Sequence, residues 1–246
     1  MAEERKNKKV PVKIIIPNMI TSGSIFCGVS SLILTANQHL VPAAILIFCA
    51  SFFDLMDGRV ARTLGGGSAF GEELDSLADV VSFGVAPAFL IYCAYISPAF
   101  GILGPLAASF FALCGALRLA RFNVTHVPTG PFQGLPIPAG GNALASIVVS
   151  GLPLTPLAAV AVLCFVGGLM VSSVPYCSAK RLKKTNVNVV KFCGVIFFIF
   201  LCFTILKEKA FLAIAVMYII SGLVKFDAAE WIMIHDDKRY SARTKD

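Results

Sequence analysis

DLMDGRVARTLGGGSAFGEELDSLAD, residues 54–79, lies between two runs long and apolar enough to cross a membrane. An ionised carboxylate at membrane depth costs several kcal/mol unless something compensates it, so intramembrane acids point to a functional site. Four aspartates stand here at fixed spacing: Asp54, Asp57, Asp75 and Asp79. With Glu72 and Glu73 they put 6 of the chain's 14 acidic residues into 26 positions. A divalent metal is the natural compensation. In a membrane protein a metal points to phosphate chemistry or to ion transport, and the rest of the chain must choose.

The composition is 57% hydrophobic and 14% charged, with a mean hydropathy of +0.81. Soluble domains average about 25% charged residues, so an integral membrane protein of the all-α class is expected. MAEERKNKK resembles the charged start of a signal peptide, but no A-x-A-like site follows it and apolar segments recur to the end. A retained first helix is expected. Apolar runs fall near 14–36, 41–58, 74–96, 99–122, 138–152, 155–176, 190–206 and 210–229. A span needs roughly 20 apolar residues, so about eight transmembrane helices are expected, with 138–152 short.

The basic residues test that map. Of 21, only Lys207 and Lys209 fall in odd-numbered connections. The others lie in the N-terminal tail, in the second, fourth and sixth connections, and at the C-terminal end. The positive-inside rule then places both termini in the cytoplasm and the Asp cluster at the cytoplasmic side. The net charge of +7 suits inner-leaflet headgroups, with Lys180, Arg181, Lys183 and Lys184 as anchors, better than nucleic acid. The eight cysteines form no C-x-x-C pair, so neither a disulfide framework nor a zinc site is implied.

Periodicity groups the polar residues. Asp57, Gly58, Ala61 and Arg62 follow Asp54 at offsets of three, four, seven and eight, and so share a face at the end of the second helix. Gly71, Asp75 and Asp79 are four apart and form one stripe at the start of the third, with TLGGGS as the turn between. Four carboxylates therefore converge from two walls, Asp79 deepest, about 12 Å beyond Gly71. All-oxygen ligation suits Mg2+ or Mn2+, and four aspartates could hold two ions around a diphosphate. The small faces of Gly58, Ala61 and Gly71 leave room for a ligand, and Arg62 suits a phosphate oxygen. The competing reading is a set of ion pairs with Arg59, Arg62, Arg118 and Arg121.

The pattern D54-x-x-D57-G58-x-x-A61-R62-x8-G71-x-x-x-D75-x-x-x-D79 resembles the signature of the CDP-alcohol phosphotransferase family at every position. SLADVVSFGVAPA (76–88), ALRLARFN (116–123), FQGLPIPAG (132–140) and IPNMIT (16–21) are similar to its membrane-embedded phosphatidylserine-synthase branch. The resemblance implies a six-helix core over 14–180, preceded by a basic tail (1–13). Two added helices (181–230) and a cytoplasmic tail (231–246) follow. It implies transfer of a phosphatidyl group from CDP-diacylglycerol to L-serine by direct displacement, in a homodimer of the cytoplasmic (inner) membrane. Asp54, Asp57 and Asp75 are implied as metal ligands, and Asp79 as the general base that also touches metal. Asn18 and Thr21 are implied contacts of the cytidine.

Arg118, Arg121 and Asn123 are candidates for the serine carboxylate, with membrane anchoring as the alternative for the two arginines. His39, His126 and His235 read as incidental, and Trp231 with Tyr240 as interface markers. Within the family, glycerol 3-phosphate or an inositol phosphate are rival acceptors, but either would want more basic residues near the cavity. An aromatic prenyltransferase would carry its Asp motifs on two distant helix pairs. A cation transporter would need neither the Gly/Ala face nor Arg62, and would be expected to show repeated halves.

Overall fold

The computed structural model describes residues 12–65, 68–97, 100–125, 132–176 and 204–224. The N-terminal tail to residue 11, the basic run from Lys180 to Lys191 and most of the expected span 190–206 lie outside these residues. So do His126, Trp231, His235 and Tyr240.

Seven helices carry the described chain: α1 (Val12–Ala36), α2 (Leu40–Thr63), α3 (Ala69–Ile96), α4 (Leu103–Thr125), α5 (Ile137–Val149), α6 (Pro156–Val171) and α7 (Ala210–Leu223). A two-residue ladder joins β1 (Phe132–Gln133) to β2 (Pro175–Tyr176), antiparallel, with Phe132 opposite Tyr176. Among the described residues the regular structure is otherwise helical, and the protein belongs to the multi-pass membrane class. Among the described residues, Lys13–Ala36, Leu40–Thr63, Ala69–Ile96 and Leu103–Val124 are long and apolar enough to span. Their outward side chains include Phe26, Phe52 and Leu77, each more than 60% exposed, which suits acyl chains rather than water.

The boundaries differ from the hydropathy map in an informative way. The second run is expected to stop at 58 and the third to start at 74, yet α2 continues to Thr63 and α3 begins at Ala69. Hydropathy marks where apolar residues end, whereas the helices end at their caps. Gly65 turns the chain at φ +103°, a conformation costly for a residue with a Cβ. Ser68 is extended and its Oγ accepts the Gly71 N–H at 3.1 Å, an N-cap that starts α3. The aspartates therefore all sit on helix. At the other end of the map, the sixth run leaves helix at Val171 and enters β2 instead of continuing to 176.

The expected short fifth span is α5, whose 13 residues reach about 20 Å against a hydrocarbon core of about 30 Å. Most of its residues are buried, so neighbouring helices, not lipid, surround it. Helix α3 packs against α1, α2, α4, α5 and α6. It widens into π-helical turns at Val80–Val85 and Tyr92–Ile96, where the N–H of Ala86 reaches back to Val81. That wider turn carries the helix past Pro87, which has no N–H to offer. Gly28 of α1 faces Ser82, where a Cβ would lie 2.6 Å from Oγ and 2.9 Å from Cα. Ser82 Oγ donates to the Ser24 carbonyl at 2.9 Å. On the far side Gly141 of α5 faces the Phe83 backbone, where a Cβ would come within 2.8 Å of the carbonyl oxygen. Small residues at close helix crossings are the usual device for packing in lipid.

Gly141→Ala must push α5 from α3, and is expected to cost about 1–3 kcal/mol. Gly168→Ala faces open space and should be neutral or slightly stabilising. Thermal unfolding of both variants in one detergent checks this; equal midpoints would contradict the packing account.

Candidate active site

The end of α2 and the start of α3 follow one another in the chain, and the spacing of three and four residues brings their acids together. Carboxylate oxygens of Asp54, Asp57 and Asp75 lie within 4.8 Å of one another. Asp57 is buried, at 6% exposure, while Asp54 and Asp75 are half-buried. Such a group could hold a metal ion. Three hard, anionic oxygens suit a divalent cation of the Mg2+ or Mn2+ kind, and without a cation three acids at this distance repel one another.

Helix α1 orients the cluster. Thr21 Oγ1 stands 2.7 Å from Asp57 Oδ2 and 3.1 Å from the Pro17 carbonyl. The hydroxyl has one proton, and the shorter, charge-assisted contact takes it. Thr21 thus holds a carboxylate, a role that the resemblance to a nucleotide contact does not anticipate. Asn18, one turn earlier, packs on Gly71, where a Cβ would sit 2.8 Å from its Oδ1. The missing side chain of Gly71 therefore makes room for Asn18. Gly58 is different: a Cβ there would meet nothing within 4 Å, so open space lies before the backbone next to Asp57. Ala61 is half-buried, and Arg62 is exposed in the last turn of α2. Glu72 is exposed in the first turn of α3 and stands outside the three-acid group.

Asp79 lies one turn beyond Asp75 and is 9% exposed. It stands outside the group of three yet interacts electrostatically with Asp54, Asp75, Asp57 and Arg118. Arg118 is equally buried and supplies a positive charge beside it. The two arginines, three apart and expected on one face, separate here. Arg121 is exposed and its Nη1 donates to the Val171 carbonyl at the end of α6, at 3.2 Å. Asn123 Nδ2 donates to Ser76 Oγ at 3.0 Å, next to Asp75 in sequence. Of the three acceptor candidates, Arg118 alone is both buried and tied to the carboxylates.

Sequence reasoning missed Ser51 and Asn142. Ser51 precedes Asp54 by one turn, and its hydroxyl meets Asn142 of α5 through both amide atoms, at 2.8 and 3.0 Å. The signal was present as an amide inside an apolar run, but nothing in one sequence says which helix it meets.

A family model described as CDP-alcohol phosphatidyltransferase matches residues 14–174. A CDP-diacylglycerol–serine O-phosphatidyltransferase of Helicobacter pylori (strain ATCC 700392 / 26695) is 33% identical over 220 residues, 86% of this chain and 91% of that protein. The enzyme of that name from Bacillus subtilis (strain 168) is 36% identical over 175 residues, covering 70% of this chain and 96% of the relative. An archaetidylserine synthase of Methanothermobacter thermautotrophicus (strain Delta H) is 38% identical over 172 residues, 69% and 72% of the two chains.

If Thr21 orients Asp57, Thr21→Val should leave the fold intact and weaken the activating metal about tenfold, the scale of one hydrogen bond to a charged group. The metal concentration for half-maximal activity reads this directly. An unchanged value would reduce Thr21 to packing.

Proposed function

The chain belongs to the CDP-alcohol phosphatidyltransferase family, and from that membership we propose that it transfers the phosphatidyl group of CDP-diacylglycerol to the hydroxyl of L-serine, giving phosphatidylserine and CMP. The observation that carries the chemistry is the convergence of Asp54, Asp57 and Asp75 within 4.8 Å, in electrostatic reach of the buried Asp79, which in turn interacts with the buried Arg118. The choice of serine is supported by relatives named for transfer to serine. Glycerol 3-phosphate and inositol phosphate are less well served: each brings a second phosphate, and Arg118 is the one buried arginine described beside the carboxylates.

Asp54, Asp57 and Asp75 would hold Mg2+ or Mn2+, two ions if Asp79 also touches metal. When bound, the ions supply positive charge that neutralises the diphosphate and the departing CMP. The chain's own residues do the rest. Gly58 leaves the space in which the diphosphate approaches the α2 backbone, with Ala61 and Arg62 one turn on. Asn18 and Gly71 brace the opposite wall, and Thr21 fixes Asp57. Arg118 receives the serine carboxylate, with Arg121 and Asn123 at the rim. The serine oxygen attacks the lipid-side phosphorus, its proton passes to Asp79, and the bond from that phosphorus to the CMP oxygen breaks with its electron pair leaving on CMP. An alcohol is a weak nucleophile at neutral pH, which is why a base must stand there.

The wider organisation follows the same reading. The catalytic core is 14–180, followed by two added helices over 181–230 and a cytoplasmic tail over 231–246. Eight spans place both termini and the active site on the cytoplasmic side of the inner membrane, a topology supported by the one-sided distribution of the basic residues. The protein acts as a homodimer.

Purified protein given CDP-diacylglycerol and Mg2+ or Mn2+ should release CMP with L-serine, not with glycerol 3-phosphate or inositol phosphate. Asp79→Asn should still bind CDP-diacylglycerol but lose single-turnover CMP release by about 10²–10⁴-fold. Release with a phosphorylated acceptor alone would overturn the choice of serine, and near-normal transfer by Asp79→Asn would remove it as base.

A further inference from the structure

Along the Asp54 side of α2 the chemistry changes in a fixed order. Phe48, Ser51, Asp54 and Gly58 are three, three and four residues apart, which keeps them on one side of the helix. At Gly58 a Cβ would meet nothing within 4 Å, and Asp54 belongs to the three-acid group. One turn before Asp54, Ser51 Oγ lies 2.8 Å from Nδ2 and 3.0 Å from Oδ1 of Asn142 in α5. One turn before Ser51, the ring of Phe48 packs on that of Phe211 in α7, centroids 4.8 Å apart. The helix is apolar from Leu40 up to Ser51, so this order leads from the acids toward the bilayer interior. Open space, carboxylate, neutral polar pair and aromatic pair follow one another.

A phospholipid donor presents its groups in the same order: diphosphate, ester-linked glycerol, acyl chains. Asn142 is the one amide of α5, with two N–H donors and a carbonyl acceptor. Among the described residues Ser51 is its one hydrogen-bond partner, and a single hydroxyl oxygen engages only one of the two N–H groups. Asn142 is half-buried between the buried Gly141 and Ala143, and Ser51 is half-buried too, so a ligand can reach the pair. Lipid chains offer the second N–H no acceptor. We propose that Ser51 and Asn142 form the subsite for the ester-linked glycerol of the donor, Ser51 holding the amide so that its second N–H donates to an ester carbonyl. An ether link has no carbonyl, so the contact selects ester-linked over ether-linked donors. The inference rests on the CDP-diacylglycerol reading above.

The test is steady-state kinetics on the full chain in mixed micelles at saturating serine, with CDP-diacylglycerol and CDP-dialkylglycerol of equal chain length as donors. Wild type should show a KM about tenfold lower for the diester than for the diether, the scale of one hydrogen bond. Asn142→Leu keeps the side-chain size and removes the donors. It should raise the diester KM about tenfold while the diether KM changes less than about twofold. Ser51→Ala leaves the amide free to turn and should raise the diester KM about threefold, again selectively. Equal wild-type KM values for the two donors overturn the inference, and that comparison needs no variant to fold. A rise that is the same for both donors assigns the pair to helix packing and overturns it as well, as does an unchanged diester KM in Asn142→Leu. Failure of the wild type to release CMP from either donor would instead sink the functional reading, and the subsite with it.

Discussion

Three carboxylates held within 4.8 Å of one another at the junction of two apolar helices are a standing electrostatic cost. Like charges at that separation repel, and lipid on the outer faces of α2 and α3 offers no solvation to relieve them. A fold that keeps such a group must hold the helices together by other means and must offer the charges a counterion. Most of the packing described here answers the first need. Arg118, buried and in electrostatic interaction with Asp79, answers part of the second.

The scaffold works by close approach. Without hydrophobic drive between helices in lipid, contact comes from small residues and from hydrogen bonds between them. Gly28 on Ser82, Gly141 on Phe83 and Asn18 on Gly71 bring backbone against backbone or amide, and Ser51 with Asn142 ties α2 to α5 one turn below Asp54. The stretches around 76–88 and 132–140 therefore carry packing duty. Gly134 shows this plainly: at φ +81° it lies so close to the Met170 carbonyl that no Cβ fits.

The helical class and the grouping of Asp54, Asp57 and Asp75 were legible in the sequence, because both follow from local periodicity and from apolar run length. Helix ends were not, since the Ser68 cap and the Gly65 turn act on hydrogen bonds that hydropathy does not record. The separation of Arg118 from Arg121 was hidden for a related reason: a spacing of three puts two residues near one face, but which of them meets Asp79 and which the Val171 carbonyl depends on helices far along the chain. Thr21 on Asp57 and Ser51 on Asn142 are likewise contacts over 36 and 91 residues, beyond any periodicity.

The central claim is that the three converging acids are a cation site, and binding of Mn2+ to the purified protein measures it without turnover. Electron paramagnetic resonance should show Mn2+ immobilised on the wild type at a saturable site, and the signal of free Mn2+ should return when Asp54, Asp57 and Asp75 are all replaced by Asn in a variant that keeps its helical content. Equal Mn2+ binding by that variant and the wild type would contradict the account.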